Sequence, residues 1–132
     1  MKLKVIIPVT LFVVSLMFIT NCKKNTATHF LIQVDSIHMP DTIQVGDTLK
    51  IVMFGTIGEN GCYSLDQIEP FFDDTTLTIK VWGLNSGDDT CPGGIVYLDG
   101  ASLSIMNFQQ GVFRVLFIQP DDGKLEETIV VI

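Results

Sequence analysis

Beyond residue 30 the chain is cut by repeated turn signals into short alternating runs, and this limits its fold more than any other feature. The signals are Pro40-Asp41, Gly46-Asp47, Asn60-Gly61, Asn85-Ser86-Gly87-Asp88, Pro92-Gly93-Gly94, Asp99-Gly100 and Pro120-Asp121-Asp122-Gly123. Each supplies a fixed or positive φ that regular structure avoids. Between them, Phe30 to His38 places Phe30, Ile32 and Val34 on one side and Leu31, Gln33 and Asp35 on the other. Thr76 to Leu84 alternates in the same way, with Leu77, Ile79 and Val81 opposed to Thr78, Lys80 and Trp82. Further strands are expected at Leu49 to Phe54, Ala101 to Asn107, Gly111 to Gln119 and Leu125 to Ile132, the last two as a hairpin. No stretch of useful length has a helical period, so the expectation is an all-β, antiparallel sandwich or barrel.

The first 22 residues obey different rules. Lys2 and Lys4 precede an apolar run from Val5 to Ile19. Fifteen residues at helical rise span roughly 22 Å, short of the ~30 Å hydrocarbon core, which suits a cleaved export signal better than a permanent span. The run ends in Ile19-Thr20-Asn21-Cys22, followed by Lys23-Lys24. An apolar residue three before a cysteine resembles the lipobox of bacterial lipoproteins. Asn21 departs from it, since Gly, Ala or Ser is commoner there. The resemblance implies that residues 1–21 are a signal peptide, that Cys22 receives lipid and becomes the mature N-terminus, and that residues 22–29 are a polar tether. Several acyl chains on one residue hold firmly, at about 0.8 kcal/mol per buried CH₂. Lys23 stands where an Asp would resemble an inner-membrane retention signal, so the outer membrane is preferred, with its side left open.

Cysteine parity agrees with export. With Cys22 assigned to lipid, Cys62 and Cys91 remain, and in an oxidising compartment two cysteines suggest one disulfide. A metal pair is the competing account, but there is no CxxC spacing, and His29 and His38 lie far upstream.

About one hundred residues from Phe30 suit a single sandwich of about seven strands. Pro40-Asp41-Thr42-Ile43-Gln44-Val45-Gly46-Asp47-Thr48-Leu49 resembles the junction between the first two strands of bacterial immunoglobulin-like domains, and Gly111-Val112-Phe113-Arg114-Val115 their penultimate strand. The resemblance implies an immunoglobulin-like β-sandwich over residues 30–132. The core pair of cysteines flanking a tryptophan is absent: Trp82 lies between Cys62 and Cys91, but both sit in turn-rich sequence. Their bridge is expected to tie loops at one end.

The composition excludes some functions and leaves others without a signature. A net charge of −7 leaves no basic cluster for a nucleic-acid backbone. Ser64, Ser86, Ser102 and Ser104 lack a nucleophile-elbow context, and solvent-facing side chains are the plainer account of His29 and His38. The pairs Asp73-Asp74, Asp88-Asp89, Asp121-Asp122 and Glu126-Glu127 would turn to opposite faces of a strand. In loops they could contribute to a Ca²⁺ site, but no Asp-x-Asp-x-Asp-Gly loop exists, and a solvated acidic rim explains them. No catalytic residue, metal ligand or cofactor is assigned.

The aromatics offer the remaining clue. Phe71-Phe72 sits between Pro70 and Asp73-Asp74. If Phe30, Phe54, Phe113 and Phe117 fill the core, one of Phe71 and Phe72 must point outward. Trp82 opposes Leu77, Ile79 and Val81 in pleat phase. Phe71, Phe72 and Trp82 therefore form a candidate contact surface for an envelope protein or glycan, against the plainer account that Trp82 caps the core edge. Small exported immunoglobulin-like inhibitors of papain-type cysteine proteases have a similar Gly-Asp-x-Leu opening. Their two inhibitory motifs are replaced here by Gly58-Glu59-Asn60-Gly61-Cys62 and Ile118-Gln119-Pro120-Asp121. The expectation is a non-enzymatic, lipid-anchored binding or accessory module of the cell envelope, with protease inhibition as the alternative.

Overall fold

A computed structural model describes residues 26–132. The expected export signal, Cys22 and the first half of the expected tether (residues 22–25) lie outside the described residues. Nine strands follow in chain order: β1 (Thr28–Leu31), β2 (Gln33–His38), β3 (Thr42–Ile43), β4 (Leu49–Asn60), β5 (Tyr63–Asp73), β6 (Thr76–Asn85), β7 (Gly93–Ile105), β8 (Gly111–Ile118) and β9 (Lys124–Val131). They make two sheets, so the described chain is all-β. The smaller sheet has the order β2-β4-β7. In the larger, β5 lies along one edge of β6. The other edge of β6 is shared by β1, opposite Trp82 to Asn85, and β8, opposite Thr76 to Ile79. Beyond β8 come β9 and β3.

The expected count of about seven strands is corrected to nine, for local reasons. The run from Phe30 to His38 breaks at Ile32, where the chain leaves the larger sheet and enters the smaller. Ile32 is buried, and its N–H donates to the Val81 carbonyl at 2.8 Å. β3 is two residues long, and β5 lies where no strand was expected. The pairing is not wholly antiparallel either, since β3 runs parallel to β9 and β6 parallel to β8. Between β6 and β8 the chain crosses to the smaller sheet as β7, so it returns beside β6 in the same direction. β1 begins at Thr28, inside the stretch read as tether.

Alternation places the core as the sequence suggested. Leu77, Ile79 and Val81 face Leu49, Ile51 and Met53 of the other sheet, with Val115, Phe117, Ile129 and Val131 beside them, all buried. Phe54 is an exception to the expected core: it shares its face of β4 with Lys50 and Val52 and is 37% exposed. Asp99-Gly100 is no turn but a bulge within β7. Ala101 pairs with Met53 and Asp99 with Phe54, leaving Gly100 unopposed at φ +79°. Gly83 permits a close approach, since Phe30 crosses directly over its Cα where a side chain would stand.

Candidate functional site

The two cysteines mark one end of the molecule. Cys62 follows the point where the chain passes from the smaller sheet (β4) to the larger (β5). Cys91 precedes the return from the larger sheet to β7. The Cys62–Cys91 disulfide joins these crossings, with a Cα–Cα distance of 5.2 Å. Backbone bonds reinforce it, from Gly61 N–H to the Pro92 carbonyl at 2.7 Å and from Ser86 N–H to the Cys62 carbonyl at 2.9 Å. The described chain also enters here, since Thr28 pairs with Asn85 and Gly87 lies against Thr26.

The three aromatic candidates do not form one patch. Phe71 and Phe72 are neighbours on β5, so the pleat sends them to opposite faces. Phe71, 65% exposed, stands on the outer face opposite Thr78. Phe72 is opposite Leu77 and turns toward the sandwich interior at the end remote from the disulfide. There it meets Phe108 edge-on with ring centroids 5.3 Å apart, and Phe108 meets Phe113 at the same distance. This aromatic floor lies under an open cleft of about 560 Å³, whose rim carries Asp74, Asn107, Gln109 and Gln110. Asn107 and Asp74 hold left-handed backbone, at φ 70° and 54°. Sequence reasoning missed Phe108. The amide-rich run Asn107-Phe108-Gln109-Gln110 before Gly111 was its available signal.

Trp82 shares the outer face with Phe71. It is half-buried on β6, opposite Gln67 of β5 and Leu31 of β1. Its indole N–H donates to Oε2 of Glu69 at 2.8 Å, which fixes the ring's orientation. Beside it, Nε2 of His29 lies 3.2 Å from Oδ2 of Asp66, reaching across β6 from β1 to β5. His29, Asp66, Gln67, Glu69 and Trp82 line a shallow groove of about 380 Å³. A second depression of about 240 Å³, lined by Glu69, Phe71, Thr78 and Lys80, continues it along the sheet. Glu69 and Lys80 are direct cross-strand partners. The result is a strip with an aromatic ring at each end and polar side chains between and beside them.

The His29–Asp66 pair is the closest approach to acid–base chemistry. Ser64 shares the face, but it and His29 flank Leu84 from opposite sides, two strand spacings or ~10 Å apart. Among the described residues neither His29 nor Asp66 hydrogen-bonds to a nucleophile, and no group of three or more His, Cys, Asp or Glu is placed to hold a metal ion. His38 is exposed on β2, on the other sheet. The four acidic pairs are exposed throughout.

Comparison with protein-family models gives no match, and neither curated proteins nor solved structures yield one.

Proposed function

We propose that this chain is a lipid-anchored module of the bacterial cell envelope that binds a partner through the Phe71–Trp82 face and performs no catalysis. The observation that carries the reading is the shared outer face of Phe71 and Trp82 on two long paired strands, with Trp82 held by Glu69. A ring fixed on a rigid sheet loses little freedom on binding, which is what a contact surface needs. The anchor is inferred from Ile19-Thr20-Asn21-Cys22. Cys22 precedes Thr26 by four positions, so an anchored protein would hold its disulfide end toward the bilayer. The strip then runs outward, with Trp82 nearer the membrane and Phe71 farther away. An immunoglobulin-like relationship rests on the Gly46-Asp47 entry into β4 and the C-terminal hairpin β8–β9. The parallel β6–β8 pairing departs from the expected antiparallel plan.

Protease inhibition is less well supported. Residues 58–64 are largely strand, with only the Gly61-Cys62 turn between β4 and β5, too short to project into a cleft. Two measurements test the proposal. Intact mass of membrane-extracted protein is expected to show cleavage before Cys22 with added acyl chains. A purified form beginning at Lys23, which lacks the lipid, should be retained by isolated cell envelopes, and Phe71→Ala and Trp82→Ala should each lower that retention at least fivefold. Full-length unmodified protein in the cytosol, or retention indifferent to both substitutions, contradicts the reading.

A further inference from the structure

We infer that the Phe71–Trp82 strip is a platform for a linear, uncharged oligosaccharide; this names the partner of the face proposed above and rests on that reading. A sugar ring has an apolar C–H face and a rim of hydroxyls, so it is recognised by a flat aromatic ring with hydrogen-bonding side chains beside it. Trp82 supplies the ring. Glu69 fixes it through Oε2 at 2.8 Å and has no other hydrogen-bond partner among the described residues. Asp66 and Gln67 line the same groove and add acceptors and an amide.

Charge argues for an uncharged ligand. Lys80 lies opposite Glu69, and His29 contacts Asp66, so the strip offers no cationic cluster for a phosphate or nucleic acid. The same layout argues against a protein partner, whose interface would centre on a contiguous desolvated apolar patch. Here the two aromatic residues are separated by the Glu69–Lys80 row. Phe71 stands opposite Thr78, four positions from Trp82 along β6, which at strand rise places the rings ~13 Å apart. One sugar ring cannot touch both. The shallow depressions meet at Glu69 along one direction of the sheet, which suits a chain that continues past either end.

Trp82 is the only tryptophan of the chain, so tryptophan emission, excited at wavelengths that tyrosine does not absorb, reports this site alone. The membrane-extracted protein in detergent micelles is titrated with cellotetraose, chitotetraose, xylotetraose and maltotetraose, and with the matching disaccharides. At least one tetrasaccharide is expected to give a saturable change in Trp82 emission. Phe71→Ala should weaken that tetrasaccharide at least tenfold while leaving its disaccharide within twofold. No saturable response to any tetrasaccharide overturns the inference, as does a tetrasaccharide affinity indifferent to Phe71→Ala. If the saccharides fail while Phe71→Ala and Trp82→Ala still reduce retention on envelopes, the ligand class is wrong and the contact face stands. If retention is also unchanged, both readings fall.

Discussion

The side-chain amide of Gln119 holds both backbone polar groups of Val34. Its Oε1 accepts from the Val34 N–H at 2.9 Å, and its Nε2 donates to the Val34 carbonyl at 2.7 Å. Val34 belongs to β2 at the edge of the smaller sheet, and Gln119 follows β8 in the larger. One side chain therefore acts as a strand segment across the seam between the sheets. A net hydrogen bond contributes about 1 kcal/mol, and orphaning its partner costs more. Gln119→Ala is expected to lower unfolding free energy by about 2 kcal/mol in urea titration. Gln119→Glu is a sharper test, because an ionised carboxylate keeps the N–H bond but faces the Val34 carbonyl without a proton. A protonated carboxyl can donate to that carbonyl, so the stability of the variant should recover on acidification. Stability of Gln119→Glu that is flat with pH would sink the bidentate account.

The Cys62–Cys91 bridge closes a span of 29 residues that contains β5 and β6. In the chain-entropy model such a loop contributes about 3.5 kcal/mol, less any native strain. The Cys62→Ser/Cys91→Ser double variant should lose roughly that amount, with a lower urea midpoint. Wild-type protein in reductant should match the variant. The intact mass should rise by two hydrogens on reduction, and an unchanged midpoint under those conditions contradicts the bridge's structural role.

Phe30 crosses Gly83 and meets Tyr63 edge-on, with ring centroids 5.6 Å apart. A methyl group at position 83 would occupy space held by the Phe30 ring. Overpacking of this kind costs about 2 kcal/mol. Gly83→Ala should destabilise by that order and should loosen β1 specifically, seen as faster amide exchange at Thr28–Leu31. Adding Phe30→Leu should recover part of the loss, a coupling that independent sites do not show.

How far the sequence disclosed these features depended on whether the signal was local. Leu77, Ile79 and Val81 were legible because a half-buried strand alternates, and the cysteine pair because only two cysteines remain once Cys22 is set aside. β5 was not, because it is an edge strand. Pro70 and the acids Asp66, Glu69 and Asp73 interrupt its pattern, as residues that blunt a free edge do. Asp99-Gly100 read as a turn because a bulge needs the same positive φ, and only the pairing with β4 tells them apart. Pleat phase set Trp82 opposite Leu77, Ile79 and Val81, but it left open whether that face is covered. Its company of His29 and Asp66 depends on β1 and β5 lying on opposite sides of β6, a pairing that neighbouring residues cannot announce. Phe71 and Phe72 could be separated in principle by pleat alone, once β5 was known to be a strand.

Arg114 and Glu126 provide a pH test on the same outer face. Arg114 of β8 donates from Nε to Oε1 at 2.8 Å and from Nη2 to Oε2 at 2.9 Å, a bidentate pair across to β9. The hydrogen bonds from Arg114 hold the Glu126 carboxyl below its ordinary pKa, opposed by desolvation and aided by the charges of Arg114 and Lys124. The guanidinium pKa is raised in return, chiefly by the same hydrogen bond. A depressed carboxyl pKa favours the folded state above the ordinary glutamate range. That contribution is lost as pH falls through the folded value. Both side chains are solvent-exposed, so the effect is small and screened by salt. Wild type and Glu126→Gln should therefore differ most in Tm at neutral pH and low ionic strength. The difference should shrink in high salt and vanish once the wild-type carboxyl is protonated. A gap that widens on acidification would show that Glu126 acts through packing and not through its charge.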